Sequence, residues 1–178
     1  MKPTFNNRLN DVYYVGEKQL WISRSIAVVG VLFALVNEEL FILAEKRSDI
    51  MADEPGKWCL PCGYLDWDEN GWDALRREVY EETSFLIDDY KRFLKFNNNL
   101  QPFFVNTSPS ENRQNVALSY ALLFDFPLGG LPEHIQDHQD SEVSEIKWIP
   151  YTEKNEYTWA FKHNERINMG IEEILKSE

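Results

Sequence analysis

Cysteine is almost missing from this 178-residue chain, which carries only Cys59 and Cys62. That scarcity excludes a disulfide-stapled scaffold, and a single C-x-x-C pair supplies only half of a structural zinc site. His134, His138 and His163 could complete such a site only by long-range folding. The spacing also suits a redox pair, but Pro61 and Gly63 suit a tight loop equally well, so two reduced intracellular thiols are the plain expectation. Basic residues are scarce too: 18 Lys and Arg stand against 30 Asp and Glu, for a net charge of −12. This balance argues against nonspecific nucleic-acid binding through a basic face. A phosphorylated ligand stays open, provided that basic side chains or a bound metal offset its charge. No apolar run is long enough to span a bilayer, the longest being Ile26–Val36, and polar Met1–Asn10 lacks the apolar centre of a signal peptide. No repeat, low-complexity tract or linker interrupts the chain. The expectation is a soluble, cytoplasmic protein with one domain over 21–178, preceded by an N-terminal extension over 1–20.

What is present reads as alternating strands and helices. The run IAVVGVLFALV (Ile26–Val36), the polar break Asn37-Glu38-Glu39 and the run LFILAEKR (Leu40–Arg47) predict a hairpin of well-buried strands. Pro55-Gly56 marks a turn in the following loop, and Trp58–Leu65 predicts a short strand entering a bend. Over Asn70–Thr83 the spacing of Trp72, Leu75 and Val79 predicts a helix. Further strands are expected at Phe93–Phe96, Gln101–Asn106, Val116–Phe126 and Ile146–Ile149. Ile167, Ile171, Ile174 and Leu175 predict a closing amphipathic helix. The order of these elements implies an α/β sandwich with a mixed central sheet.

The segment Gly63–Phe85, GYLDWDENGWDALRREVYEETSF, carries the chemistry. On a helix, Glu78, Glu81 and Glu82 fall within an arc of about 100°. Carboxylates so close repel one another and call for a counter-charge, which a hard cation such as magnesium supplies while bridging to phosphate. Arg77, four residues before Glu81, could pair with it. Glu69 falls near the helix start, where negative charge suits the macrodipole. By itself, E-x-x-E-E is equally at home on a solvated helix face.

The frame around the glutamates resembles the Nudix box, G-x5-E-x7-R-E-U-x-E-E-x-G-U, where U is a bulky aliphatic residue. Gly63, Glu69, Arg77, Glu78, Val79, Glu81 and Glu82 stand at its spacing. Ser84 replaces the final glycine, Phe85 an aliphatic residue, and Cys62 the first glycine of a Pro-Gly-Gly turn. The segments AEKR, Trp58-Cys59-Leu60-Pro61, Glu142 to Pro150 and Ala160-Phe161-Lys162-His163 are also similar to family counterparts. The resemblance thus covers most of residues 25–175.

That resemblance implies a Nudix-like α/β/α sandwich and a magnesium-dependent hydrolase, with manganese as a substitute metal. The bond cleaved would be a diphosphate linkage in a small nucleotide-derived substrate such as a nucleoside triphosphate, ADP-ribose or a nucleotide sugar. Glu78, Glu81, Glu82 and the Gly63 carbonyl would hold metal, with Glu69 and Arg77 in support. Glu81, Glu82 or Glu142 would act as general base, with Glu145 and Asp140 as alternatives. Arg47 would bind a substrate phosphate or else pair with Asp49 or Glu45 at the surface. His163 would approach the pocket or simply pack at the core edge. Substrate choice would fall to Ser48–Gly56, Thr107–Asn115 and Gly129–Ser141, and Trp58, Phe103, Phe104 or Tyr120 could stack a base or belong to the core. Family members are often dimers, and residues 1–20 could build a homodimer interface. A non-catalytic Nudix-like module that senses a nucleotide metabolite is the alternative reading.

Overall fold

The run Ile26–Val36 has no polar face because the fold leaves neither of its faces in water. The computed structural model describes residues 10–109, 115–127, 130–132 and 142–177. Strands β1 (Asp11–Val15) and β2 (Lys18–Ile22) form a separate antiparallel hairpin, so part of the expected extension is ordered as a two-stranded ribbon. The main sheet is built from β3 (Ile26–Val36), β4 (Glu39–Arg47), β5 (Trp58–Cys59), β6 (Cys62–Tyr64), β7 (Leu94–Phe96), β8 (Phe104–Asn106), β9 (Val116–Phe126) and β10 (Val143–Pro150). Its central order is β10-β4-β3-β9-β7, with β5, β6 and β8 added against β4, β3 and β9. Only β3 and β9 run parallel, paired from Ile26 with Val116 to Val36 with Phe126; the other pairs are antiparallel. The sheet is therefore mixed.

Successive side chains on a strand point to opposite faces, and β3 divides its apolar residues accordingly. Val28, Leu32, Ala34 and Val36 join one core with Leu75 and Val79 of helix α1 (Gly71–Thr83). Val29, Val31 and Phe33 join a second core with Ile167 and Ile174 of helix α2 (His163–Leu175). One helix covers each face, so the architecture is the expected α/β/α sandwich. Gly170 permits the approach of α2: a Cβ there would lie 3.1 Å from Val31 Cγ1.

Helix α1 is closed at both ends by side-chain and backbone geometry. Asn70, predicted as its first residue, is the N-cap, and its Oδ1 accepts from the N–H groups of Trp72 and Asp73 at 3.0 Å. At the other end Ser84 adopts the left-handed conformation (φ 58°, ψ 9°) and donates its N–H to the Tyr80 carbonyl. Serine thus occupies a conformation that glycine adopts more easily.

Several elements differ in extent from their predicted limits. The segment Trp58–Leu65 splits into β5 and β6 because Pro61 has no N–H to continue a ladder. Strand β10 is longer than Ile146–Ile149, since β4 offers partners from Phe41 to Arg47. A 3-10 turn over Ile87–Phe93 had no signal in the sequence. No helix among the described residues is long and apolar enough to cross a membrane.

Candidate active site

The glutamates are fixed by what flanks α1. Strand β6 runs beside the helix, and Gly63 faces Glu78 so closely that a Cβ there would overlap the Glu78 carboxylate. Only glycine fits. Glu78 is buried, and desolvation raises its pKa against the opposing pull of Arg77. Glu82, one turn on, accepts the Cys62 N–H at Oε2 (2.7 Å), and burial raises its pKa well above the usual carboxylate range.

Arg77 provides the counter-charge that the crowded carboxylates require. Its Nε and Nη2 grip Glu69 at 3.2 and 2.7 Å, while Nη1 donates to Glu78 at 2.8 Å and Glu81 at 2.9 Å. Nη2 also donates to the Tyr64 carbonyl, tying helix to β6. The hydrogen bonds from Arg77 hold the Glu69 carboxyl below its usual pKa. Glu81 is half exposed and shares Arg77 Nη1 with Glu78, but unlike Glu78 and Glu82 it is not among the cavity-lining residues.

A carboxylate that the sequence reading named only as a partner for Arg47 completes the cluster. Glu45 of β4 is 2% exposed, and its Oε1 accepts the Cys59 thiol proton at 3.1 Å. Burial pushes its pKa up to about 8, against the Cys59 hydrogen bond and the charge of Arg47. Glu45 Oε2 finds no hydrogen-bond partner among the described residues. A signal existed: Glu45 follows the apolar residues Phe41–Ala44 directly, in a strand already expected to be buried.

A cavity of about 510 Å³ opens over this cluster, a volume suited to a nucleotide-sized ligand. Glu78, Glu82, Gly63 and Cys62 form part of its wall, and Arg47, Phe161, His163 and Glu142 are also among its lining residues. Arg47 Nε donates to the Asp53 carbonyl at 3.0 Å, and its guanidinium stacks 4.9 Å from the Phe161 ring. It forms no ion pair with Asp49 or Glu45 among the described residues. The Glu142 carbonyl accepts the Ser48 N–H (2.8 Å), which sets Glu142 beside Arg47 at the start of the loop from Ser48. Glu145 instead pairs with Lys147 at 2.6 Å outside the lining.

His163 both packs and lines the cavity. Its Nδ1 accepts the Leu60 N–H at 2.9 Å, and burial lowers its pKa to about 3, so the ring is neutral with its proton on Nε2. Just before it, Phe161 and Lys162 both have positive φ (53° and 58°), a strained pair that aims the Phe161 ring into the cavity. Sequence reasoning missed Phe161 as a pocket residue. Trp58 and Tyr120 are core, and neither Phe103 nor Phe104 lines the cavity. Of the loops expected to select substrate, Ser48–Gly56 contributes Met51 and Asp53. Residues 110–114 and most of Gly129–Ser141, with His134, His138 and Asp140, lie outside the described residues.

The donor set fits a hard divalent cation. Two buried carboxyls with raised pKa values, the orphaned Glu45 Oε2 and the close approach at Gly63 all mark a place where positive charge is lacking. No three acidic, Cys or His side chains among the described residues already converge on one point. Magnesium needs only one or two carboxylates beside its waters and the substrate phosphates, so a full preformed cage is unnecessary.

The site thus joins a mixed sheet between two helices to a glutamate-bearing helix that faces a strand glycine. The NUDIX domain family model matches residues 25–168, and the chain belongs to that family. An RNA pyrophosphohydrolase of Bradyrhizobium sp. (strain ORS 278) is 38% identical over 53 residues, 29% of this chain and 32% of that protein. The matched part therefore spans about a third of that relative's length. Among solved structures, the NUDIX domain of Shewanella oneidensis NrtR, complexed with ADP ribose, matches with a TM-score of 0.64 and 21% identity over 85% of this chain and 89% of that one. A bifunctional NMN adenylyltransferase/ADP ribose pyrophosphatase of Francisella tularensis, complexed with AMP and a manganese ion, matches with a TM-score of 0.63 and 23% identity over 84% of this chain and 42% of that one. At such identities the structural likeness speaks for the fold.

Proposed function

We propose that this protein is a magnesium-dependent pyrophosphohydrolase that cleaves a diphosphate bond in a small nucleoside diphosphate derivative, with manganese able to replace magnesium. One observation carries the reading: Glu78 and Glu82 line a nucleotide-sized cavity whose lining also includes the cation Arg47, with Glu45 buried beside Glu82. Glu78, Glu82 and the Gly63 carbonyl would hold the metal, and Glu81 would join by leaving Arg77. When bound, the metal supplies charge neutralisation of the diphosphate and lowers the pKa of an attacking water. Arg77 positions Glu78 and Glu69, so the carboxylates keep their geometry without substrate. Arg47 binds a phosphate oxygen, and Phe161 offers a ring face at the same mouth. Glu142, which lines the cavity outside the carboxylate cluster, is the general base, ahead of Glu82 and Glu81.

A net charge of −12 disfavours a long RNA and leaves small nucleoside diphosphate derivatives, ADP-ribose among them, as the substrate class. The protein is assigned to the cytoplasm, and the β1–β2 hairpin, with Tyr13, Tyr14 and Val15 exposed, is the surface assigned to a homodimer. A module that binds such a metabolite without cleaving it is the competing reading; against it stands every charged box position in place.

The test is a panel of nucleoside diphosphate derivatives with and without magnesium, run on the wild type and on Glu78→Gln, Glu81→Gln and Glu82→Gln. Glu78→Gln and Glu82→Gln are expected to lose at least about 100-fold in kcat/KM. Binding of a substrate without cleavage under any metal would establish the binding module instead. Cleavage that survives both substitutions and chelation would place the site elsewhere.

A further inference from the structure

His163 uses only one of its two ring nitrogens. At the start of α2 its Nδ1 accepts the Leu60 N–H at 2.9 Å, a bond that latches the helix to the bend between β5 and β6. A backbone N–H can only donate, so Nδ1 carries the lone pair and Nε2 the proton. That Nε2–H has no hydrogen-bond partner among the described residues, yet His163 is only 4% exposed. The donor is not sealed inside the protein, because His163 is part of the cavity lining. A buried donor without an acceptor is costly, and a latch needs Nδ1 alone. The free N–H therefore calls for an acceptor in the cavity.

The surroundings select the chemistry of that acceptor. With its one lone pair committed to Leu60, the neutral ring cannot take a proton from water, which leaves donation as its only role. Burial, followed by the charges of Arg166 and Arg47, lowers its pKa to about 3. Neighbouring cations that oppose an imidazolium favour an anionic oxygen at the same place. Arg166 is itself turned from the cavity, with its guanidinium 4.4 Å from the Phe104 ring and Nη1 on Met169 Sδ. Arg47 shares the lining with His163, and the Phe161 ring neighbours both, 4.9 Å from the guanidinium and 5.6 Å from the imidazole. Each of the two donors is anchored through another nitrogen to backbone, Arg47 by Nε to the Asp53 carbonyl and His163 by Nδ1 to Leu60.

We propose that His163 is a substrate-binding residue whose Nε2–H donates to a phosphate oxygen of the diphosphate that Arg47 neutralises. The inference rests on the diphosphate reading of the cavity and adds to it a neutral donor of fixed direction. Arg47 supplies charge, and His163 sets where an oxygen must lie.

Two substitutions separate the donor from the latch. His163→Asn keeps an acceptor for Leu60 but lacks the Nε2–H, whereas His163→Gln reaches the Nε2 position with an amide donor and gives up the Leu60 bond. The probe is imidodiphosphate, a diphosphate analogue without a cleavable bridging oxygen, titrated calorimetrically with Mg2+ present into wild type and both variants. Adenosine serves as the phosphate-free control, and Tm is measured alongside. His163→Asn is expected to bind imidodiphosphate about 10–100-fold more weakly at nearly unchanged Tm, the range for a hydrogen bond to a charged group. His163→Gln is expected to keep most of the affinity and to melt lower. Unchanged affinity in His163→Asn would overturn the proposal, as would a wild type that binds no imidodiphosphate. A loss that follows Tm in both variants would also overturn it, leaving His163 a latch. A loss for adenosine and not for imidodiphosphate would overturn the phosphate assignment in favour of sugar or base. If His163→Asn weakens imidodiphosphate binding while the wild type cleaves no nucleoside diphosphate derivative, the hydrolase reading fails and the donor stands. If the wild type cleaves and all three proteins bind alike, the donor alone fails.

Discussion

Glu45 lends itself to a quantitative test because its environment and its charge disagree. Its carboxyl is raised from 4.5 to about 8, chiefly by burial. A carboxyl raised in the folded state contributes stability that is complete below its unfolded pKa and is lost as pH rises through its folded pKa. The gap corresponds to roughly 5 kcal/mol once the group is ionised in both states, and roughly 4 kcal/mol of that is gone at about pH 8. Relaxation and water entering from the adjoining cavity bring the realised loss to about 2 kcal/mol. For a chain of this size that is about 4–8 °C in Tm. Glu45→Gln keeps the shape and still accepts from Cys59, so it removes the ionisation.

The assay is thermal unfolding in a chelator at about pH 5.5 and about pH 8.5, spanning most of the titration. Glu78 and Glu82 change stability with the same sign, and buried His163, with its lowered pKa, with the opposite sign. The difference between wild type and variant is therefore the readout. Glu45→Gln is expected to match the wild type at the lower pH and exceed its Tm by about 4–8 °C at the higher. Magnesium should narrow that gap by stabilising the ionised wild type. Parallel curves for the two proteins would refute the claim that a buried, charge-starved carboxyl lies beside Glu82.

Three further outcomes follow from the same geometry. Arg77→Lys loses the paired grip on Glu69 and most of the contacts to Glu78 and Glu81, so kcat/KM should fall and stability drop by about 1–3 kcal/mol, read by kinetics and denaturant titration. Arg47→Ala should raise KM by about 10-fold or more with kcat little changed, the mark of a lost charged contact made alike in ground and transition states. Ser84→Gly relieves a left-handed residue at the end of α1 and should stabilise by about 1 kcal/mol, visible as a Tm rise of about 2–4 °C without change in activity.

The local signals in the chain proved specific where covalent geometry and period dominate. Apolar residues at Val28, Leu32, Val29 and Phe33 must face both sides of a strand, so a run without a polar face demanded two covered faces, and the sandwich supplies them. Helical period placed Leu75 and Val79 in the core and brought Arg77 within reach of Glu81. Period alone grouped the three glutamates as equals, and here the packed structure differs. Strand β6 presses on the side of α1 that carries Glu78 and Glu82, whereas Glu81 turns to Arg77 and solvent.

Within the box segment, residue spacing determined the helix, its glutamates and the arginine that steadies them, because neighbours three and four positions apart meet on any α-helix. Tertiary structure alone decided the rest of the cavity. Arg47, Glu142, Phe161 and His163 come from β4, the residue before β10, and the approach to and start of α2, and no local period relates them. Antiparallel register brings Glu45 opposite Cys59 and sets Arg47 opposite Val143, next to Glu142. A backbone turn of positive φ swings Phe161 in from the far end of the chain. Burial, which depends on every packed neighbour at once, then makes Glu45 a carboxyl in need of a cation.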